Sequence, residues 1–226
     1  LTEFKIDLAG HLKPKQTKKV SVDLNYPIKE NDSFKEMSEN LMDLYMQSAI
    51  ETENLNDYRS FSKIVPLIKQ ATKTTIYSNS SNIAFAENFA YQMLEFGYTV
   101  HVPKDDFSQS IHAANSTGND FSIVISYGGR SKNLYKIMEI LKGNQCHILL
   151  ITSTQKNPLT KYADSILYIA SSEHHYDKIS SFSSRFSLLF ILDMIFSSIF
   201  NTDYQKHIEF KKKNYANILV LFDTLI

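Results

Sequence analysis

The stretch Phe121-Ser-Ile-Val-Ile-Ser-Tyr-Gly-Gly-Arg-Ser131 constrains the fold more than any other part of this chain. Its first half, Ser122 to Ile125, carries no charge and is rich in β-branched residues. An uninterrupted apolar run bounded by turn residues fits a strand buried on both faces, as in a parallel sheet. Ser126, Gly128, Gly129 and Ser131 then crowd a tight turn, after which Leu134, Ile137, Met138 and Leu141 recur at helical spacing. Gly143 stands where a left-handed C-terminal cap is expected. The first N–H groups of a helix have no internal partner and carry partial positive charge. Glycine lets backbone approach a ligand closely and serine adds donors, so a strand–Gly/Ser turn–helix is a ready phosphate cradle. A bare βα turn with a serine N-cap needs the same residues.

The rest of the chain repeats this alternation. Strands are predicted at Thr74–Tyr77, Thr99–Val102, Phe121–Ser126, His147–Thr152 and Ser165–Ile169. Helices are predicted at Ala84–Phe96, closed by Gly97, and around Gln109–Asn115, while Asn157-Pro158 supplies an N-cap followed by proline at the first helical position. Strands interleaved with helices predict an α/β fold, a doubly wound five-stranded parallel sheet with right-handed crossovers and flanking helices. Ligands in such sheets sit at the carboxyl ends of the strands, near the switch in strand order.

Extra helices are expected at both ends. Ser33 and Glu36 form a capping box ahead of a stripe made by Phe34, Met37, Leu41, Leu44, Tyr45, Ser48 and Ala49. A second segment, Tyr58–Ala71, contains Pro66, which is expected to kink or restart it. Near the other end, Phe186–Phe200 is strongly apolar, but Asp193 interrupts it and it falls short of the ~20 apolar residues of a membrane span. A buried helix or a dimer core fits better. Tyr204–Ile226 completes the chain as a helix with Lys211, Lys212 and Lys213 on a wet face.

Lysine plus arginine and aspartate plus glutamate balance at 24 each, so no global field draws this chain to nucleic acid. The single cysteine, Cys146, excludes an internal disulfide and fits a reducing, cytoplasmic setting. It precedes an apolar strand and reads as a buried thiol. In residues 1–31, Leu1, Phe4, Leu8 and Leu12 form a short stripe broken at Gly10 and stopped by Pro14. Lys13, Lys15, Lys18 and Lys19 follow, and a solvated linker suits them better than a nucleic-acid contact. The sequence does not open on Met and reads as a fragment of a longer protein. Adjacent His174 and His175 point to opposite sides of an extended segment and have no third ligand at suitable spacing. No metal and no cofactor is therefore expected.

Ile125-Ser-Tyr-Gly-Gly-Arg-Ser131 resembles the second phosphate loop of sugar isomerase (SIS) domains, usually Ser-x-Ser-Gly-x-Thr. Ile151-Thr152, Pro158-Leu159 and Ala163-Asp164 look like the next βα unit of that flavodoxin-like fold. Ser184-Arg185, Leu189 and Ile191-Leu-Asp193 are similar to the closing helix of the RpiR family of bacterial transcriptional regulators, and Phe4-Lys-Ile-Asp-Leu-Ala9 to the tail of its helix-turn-helix domain. The resemblance implies residues 1–31 as the tail of a missing DNA-binding domain plus linker, and residues 32–226 as a phosphosugar-binding SIS domain. It implies a homodimer or higher homo-oligomer that meets DNA through the missing domain, a sugar phosphate as ligand, and no membrane. The implied ligand-binding residues are Ser80, Ser81, Asn82, Ser126, Gly128, Gly129, Ser131 and Glu173, with no catalytic residue.

The departures are specific. The family's first loop is usually Gly-x-Gly-x-Ser, and Ser78, Ser80 and Asn82 stand at those positions. Gly128 replaces a serine of the second loop. A ligand site altered in preference or weakened, but not abolished, is expected. Two other readings stay open: an aldose–ketose isomerase with Glu173 as general base, and an SIS dimerisation module without ligand.

Overall fold

The computed structural model describes residues 22–170 and 172–223. The stripe from Leu1 to Leu12 and the lysines from Lys13 to Lys19 lie outside the described residues.

Five strands, β1 (Thr74–Ser78), β2 (Val100–His101), β3 (Phe121–Ile125), β4 (His147–Thr152) and β5 (Ser165–Tyr168), form one all-parallel sheet in the order β2-β1-β3-β4-β5. The helices are α1 (Phe34–Leu55), α2 (Tyr58–Gln70), α3 (Asn82–Leu94), α4 (Asp106–Ala114), α5 (Lys132–Gly143), α6 (Phe182–Thr202) and α7 (Tyr204–Asp223), with a 3-10 turn at Pro158–Tyr162. The strand order reverses between β1 and β3, which places a crevice at their carboxyl ends.

Strand residues alternate between two cores. Ile76, Ile123, Ile125, Leu149, Ile151 and Leu167 face one side, where Ile64 and Ile68 of α2, Phe89 and Met93 of α3, and Leu188, Ile191 and Ile195 of α6 cover them. Tyr77, Val124, Ile148 and Leu150 face the other, under Ala113 of α4, Leu134, Ile137, Met138 and Leu141 of α5, and Leu159. Both faces of β3 and β4 are dry, so these two strands read as near-continuous apolar runs. Each aliphatic side chain among these contributes about 1.5–3 kcal/mol through burial. By length and composition α6 could cross a membrane, but Leu188, Ile191, Leu192, Ile195 and Ile199 are buried in this core. Asp193 is on its exposed side.

Several expectations are corrected by the packing. Phe34 is 84% exposed; α1 buries Leu44, Ser48 and Thr52, and stacks Tyr45 on Phe186 of α6 at 5.0 Å. Met37 and Leu41 are half-buried, and full burial on α1 begins at Leu44. The Ser33–Glu36 capping box forms as expected. Helix α2 runs through Pro66 without a break. The buried Ile64, Val65 and Ile68 around it hold the helix against a penalty of about 3 kcal/mol. Gly97 closes α3 at φ +97°, but the left-handed residue after α5 is Gln145 (φ 59°) and not Gly143. Helix α5 keeps Gly143 as its last residue, with Asn144 donating to Ile140 O and Cys146 to Leu141 O. Lys211 is tied to Glu95 of the turn after α3, so only Lys212 and Lys213 are fully wet. Cys146 is buried, with its Sγ 3.1 Å from Ser122 Oγ, and burial pushes its thiol pKa up.

The outer edge of β5 is closed by one side chain. Asn56, at the end of α1, donates Nδ2–H to Tyr168 O (2.6 Å) and accepts Tyr168 N–H at Oδ1 (2.7 Å). Its amide replaces a further strand for one residue. Asn56→Ala should therefore lower stability by about 1–3 kcal/mol through two unpaired, partly buried backbone groups. Urea denaturation would show this as a lower midpoint at unchanged slope, whereas a loss below ~0.5 kcal/mol would mean that water replaces the amide.

Candidate functional site

Two loops meet at the switch point. Loop one (residues 79–81) joins β1 to α3, and loop two (residues 126–131) joins β3 to α5. Ser80 adopts φ 54°, the left-handed conformation that glycine takes without strain. The residue type has changed from the usual glycine, but the backbone shape that glycine supplies is present. Ser81 caps α3 by position only, with no side-chain hydrogen bond.

In loop two, Gly129 also lies in the left-handed region (φ 64°). A Cβ there would sit 1.7 Å from Asn157 Oδ1, so no other residue fits without moving Asn157. Asn157 is held from both sides: its Nδ2 donates to Thr152 Oγ1 (2.7 Å) and its Oδ1 accepts Leu159 N–H (2.9 Å). At Gly128 a Cβ would meet only the Arg130 side chain, at 3.6 Å or more. The missing serine of loop two is thus not a steric requirement.

The loops are joined by one hydrogen bond, Asn79 Nδ2 to Ser131 Oγ (2.7 Å). Ser131 Oγ also accepts Leu134 N–H (3.2 Å) as the N-cap of α5. With both lone pairs engaged, the hydroxyl retains its proton, which suits an anion and not a donor. Ser126 N–H is committed to Ile151 O (3.0 Å), which leaves its hydroxyl as the group it can offer. Tyr127 anchors the turn. Its carbonyl accepts Ser153 N–H, Thr152 Oγ1 and Ser153 Oγ, and its hydroxyl donates to Glu173 O at 2.9 Å. Burial, then the Glu173 charge, push the Tyr127 pKa well above its ordinary value, so the phenol stays protonated.

Two cavities open here, Tyr127 lining the inner one and Gly128, Gly129 and Ser131 the outer one; Ser80 and Ser126 line neither. An inner cleft of about 350 Å³ is lined by Ser81, Asn82, Tyr127, His175, Lys178 and Arg185, among others. An outer groove of about 730 Å³ is lined by Gly128, Gly129, Arg130, Ser131, Lys132 and Lys156, with Glu139 at its wall. Arg185 lies over the Phe182 ring and has no carboxylate partner among the described residues. Burial, reinforced by Arg130 and Lys178, lowers the His175 pKa, so its ring is neutral at pH 7.

Glu173 is placed differently from the expectation that it faces a ligand. Its side chain is fully buried, paired with Lys178 Nζ (3.0 Å) and bonded to Ser183 N–H (3.1 Å) and Ser184 Oγ. The carboxylate compensates the N-terminus of α6; its partners Lys178 and Ser184 line the cleft, and Glu173 does not. The sequence reading missed Asn79, Tyr127, Lys178 and Asn157 as parts of this assembly. Asn79 lies between Ser78 and Ser80 in the first loop, but Lys178 sits in no recognisable spacing.

Residues 67–198 match the SIS domain family. The chain belongs to this family. An uncharacterised HTH-type transcriptional regulator of Haemophilus influenzae is 24% identical over 196 residues, covering 87% of this chain and 67% of that protein. Among solved structures, the Vibrio vulnificus NanR protein complexed with ManNAc-6P superposes with a TM-score of 0.75 at 17% identity, over 98% of this chain and 76% of that one. The sugar isomerase domain of an RpiR transcription factor from Sphaerobacter thermophilus gives 0.70 at 13% identity, over 79% and 98%.

Individual positions of the two loops differ in how far they tolerate change, and this can be measured. Gly129→Ala should cost more than 2 kcal/mol, since it adds both a clash with Asn157 and left-handed strain. Gly128→Ser should stay within ~0.5 kcal/mol of the parent, and Ser80→Gly should stabilise by up to ~1 kcal/mol. Thermal and urea denaturation of the three variants gives the ranking; equal effects at Gly128 and Gly129 would contradict it.

Proposed function

We propose that this chain is the effector-binding and dimerisation domain of a transcriptional regulator that senses a phosphorylated sugar or amino sugar. The carrying observation is the Asn79–Ser131 hydrogen bond, which brings loop one onto the serine-bearing loop two at the switch point. In this reading Ser126, Gly128, Gly129 and Ser131 hold the phosphate with Ser80, Ser81 and Asn82, through charge-assisted hydrogen bonds. Lys178 and Arg185 add positive charge in the inner cleft, which Ser81 and Asn82 also line. Glu173 contributes at one remove, by ordering Lys178 and Ser184. Relatives described as HTH-type transcriptional regulators support the same assignment, with residues 1–31 as tail and linker of a DNA-binding domain and residues 32–226 as the sensor. Ligand occupancy then shifts the packing of two subunits, which requires unequal affinity for the two arrangements.

A sensor is favoured over an isomerase by the state of Glu173. A general base must reach the substrate proton, and this carboxylate is buried against Lys178, Ser183 and Ser184. A thermal-shift screen with hexose, pentose and hexosamine phosphates, N-acetylmannosamine 6-phosphate first among them, tests the reading. At about 100 times its dissociation constant a ligand adds roughly 2.7 kcal/mol of stability. Ser126→Ala with Ser131→Ala should abolish that shift while the subunits stay associated, and incubation with the hit should return it unchanged. A shift that survives both substitutions would move the site away from loop two, and isomerised product would make the protein an enzyme.

A further inference from the structure

The loop between β5 and α6 forms one wall of the inner cleft, through His175, Lys178 and Ser180. It has neither strand nor helix of its own over residues 172–181. Its shape is imposed from elsewhere, in large part by a segment distant in sequence. Leu24 is buried, and Asp23 Oδ1 accepts the N–H groups of Asn25 (2.9 Å) and Tyr26 (3.2 Å), which fixes a local turn. From that turn Asn25 Oδ1 accepts His174 N–H (2.6 Å), Asn25 O accepts Ile179 N–H (2.9 Å), and Tyr26 Oη bonds to the Asp177 carboxylate. These contacts fall on both sides of the cleft-lining pair. His174 precedes His175, and Asp177 and Ile179 enclose Lys178. Glu173, next to His174, in turn holds Lys178 and the first turn of α6.

We propose that Asn25 and Tyr26 are positioning residues of the ligand site: they hold the 172–181 loop so that His175 and Lys178 face the cleft. Asp23 sets their geometry. The inference rests on the reading of the inner cleft as part of the ligand site, and it adds a direction of coupling. A ligand that binds Lys178 better in the latched loop strengthens the latch by the same free energy. The segment it then grips, residues 23–26, lies within residues 1–31, the stretch assigned above to the tail and linker. Occupancy of the sugar site is thereby felt in the linker without any long relay through the core.

Hydrogen exchange on the complete chain decides this. Without ligand, Asn25→Ala should raise exchange at His174 and Ile179 about tenfold, because the bond to His174 is lost outright and the loop that presents Ile179 N–H to the Asn25 carbonyl is held by one contact fewer. Amides in the α6 core should not change. Tyr26→Phe should do the same more weakly, and should weaken binding of a hexosamine 6-phosphate such as N-acetylmannosamine 6-phosphate severalfold at an unaltered melting temperature. In the parent protein that probe should slow exchange at residues 23–26 together with 172–181. Unchanged loop exchange in Asn25→Ala overturns the latch. Protection of the loop alone, without residues 23–26, overturns the coupling. If no probe in the panel binds the parent protein, the ligand reading fails by itself, and the unliganded comparison still decides the latch.

Discussion

The contact between Gly129 and Asn157 is the constraint on which the site depends. The peptide at Gly129 must pass so close to the Asn157 amide that a methyl group has no place. Asn157 cannot withdraw, because it is bonded both to Thr152 at the end of β4 and to Leu159 in the 3-10 turn. One asparagine thus fixes the path of loop two, the exit of β4 and the turn that follows. Tyr127 repeats the arrangement from the other direction, its carbonyl taking three donors from Thr152 and Ser153. The hydroxyls of Ser126 and Ser131 therefore belong to a turn whose backbone has little freedom left, a condition for binding an anion without an ordering cost.

The site combines two kinds of attraction. Loop two and the helix starts offer neutral donors and partial charge, while Lys178 and Arg185 put full charges in the inner cleft and Arg130 and Lys156 in the outer groove. Only Lys178 is held in place by a buried carboxylate. Removing Glu173 would leave Lys178 without its anchor and the N-terminus of α6 without its counter-charge. The changes in loop one carry less weight than the residue types suggest, because Ser80 keeps the left-handed backbone and Asn79 supplies a bond to Ser131.

The buried strands were legible because dryness on both faces leaves an uninterrupted apolar record; β4 occupies His147–Thr152 as its residues indicate. Local chemistry was equally plain where it is self-contained, as in the Ser33–Glu36 box and the Asn157-Pro158 start. Misplaced features share a different cause. Phe34, Gly143, Lys211 and Glu173 each have a local pattern that fits one role and a distant partner, or the lack of one, that assigns another. Phe34 belongs to an apolar stripe yet stays exposed, and Glu173 sits in a polar loop yet is drawn inward by Lys178 and the start of α6.

By itself, the sequence determined the alternation of strands and helices, the order of the loops at the switch point and the residue chemistry of loop two. Periodicity and turn chemistry are local properties, written within a few residues of where they act. Tertiary structure alone decided that Asn79 meets Ser131 across 52 positions, that Asn56 closes the edge of β5 across 112, and that Asn25 holds the loop beside Lys178 across 149. Hydrogen bonds of that separation leave no periodic trace in the chain, since each requires only one polar group at each end and a fold that brings them together.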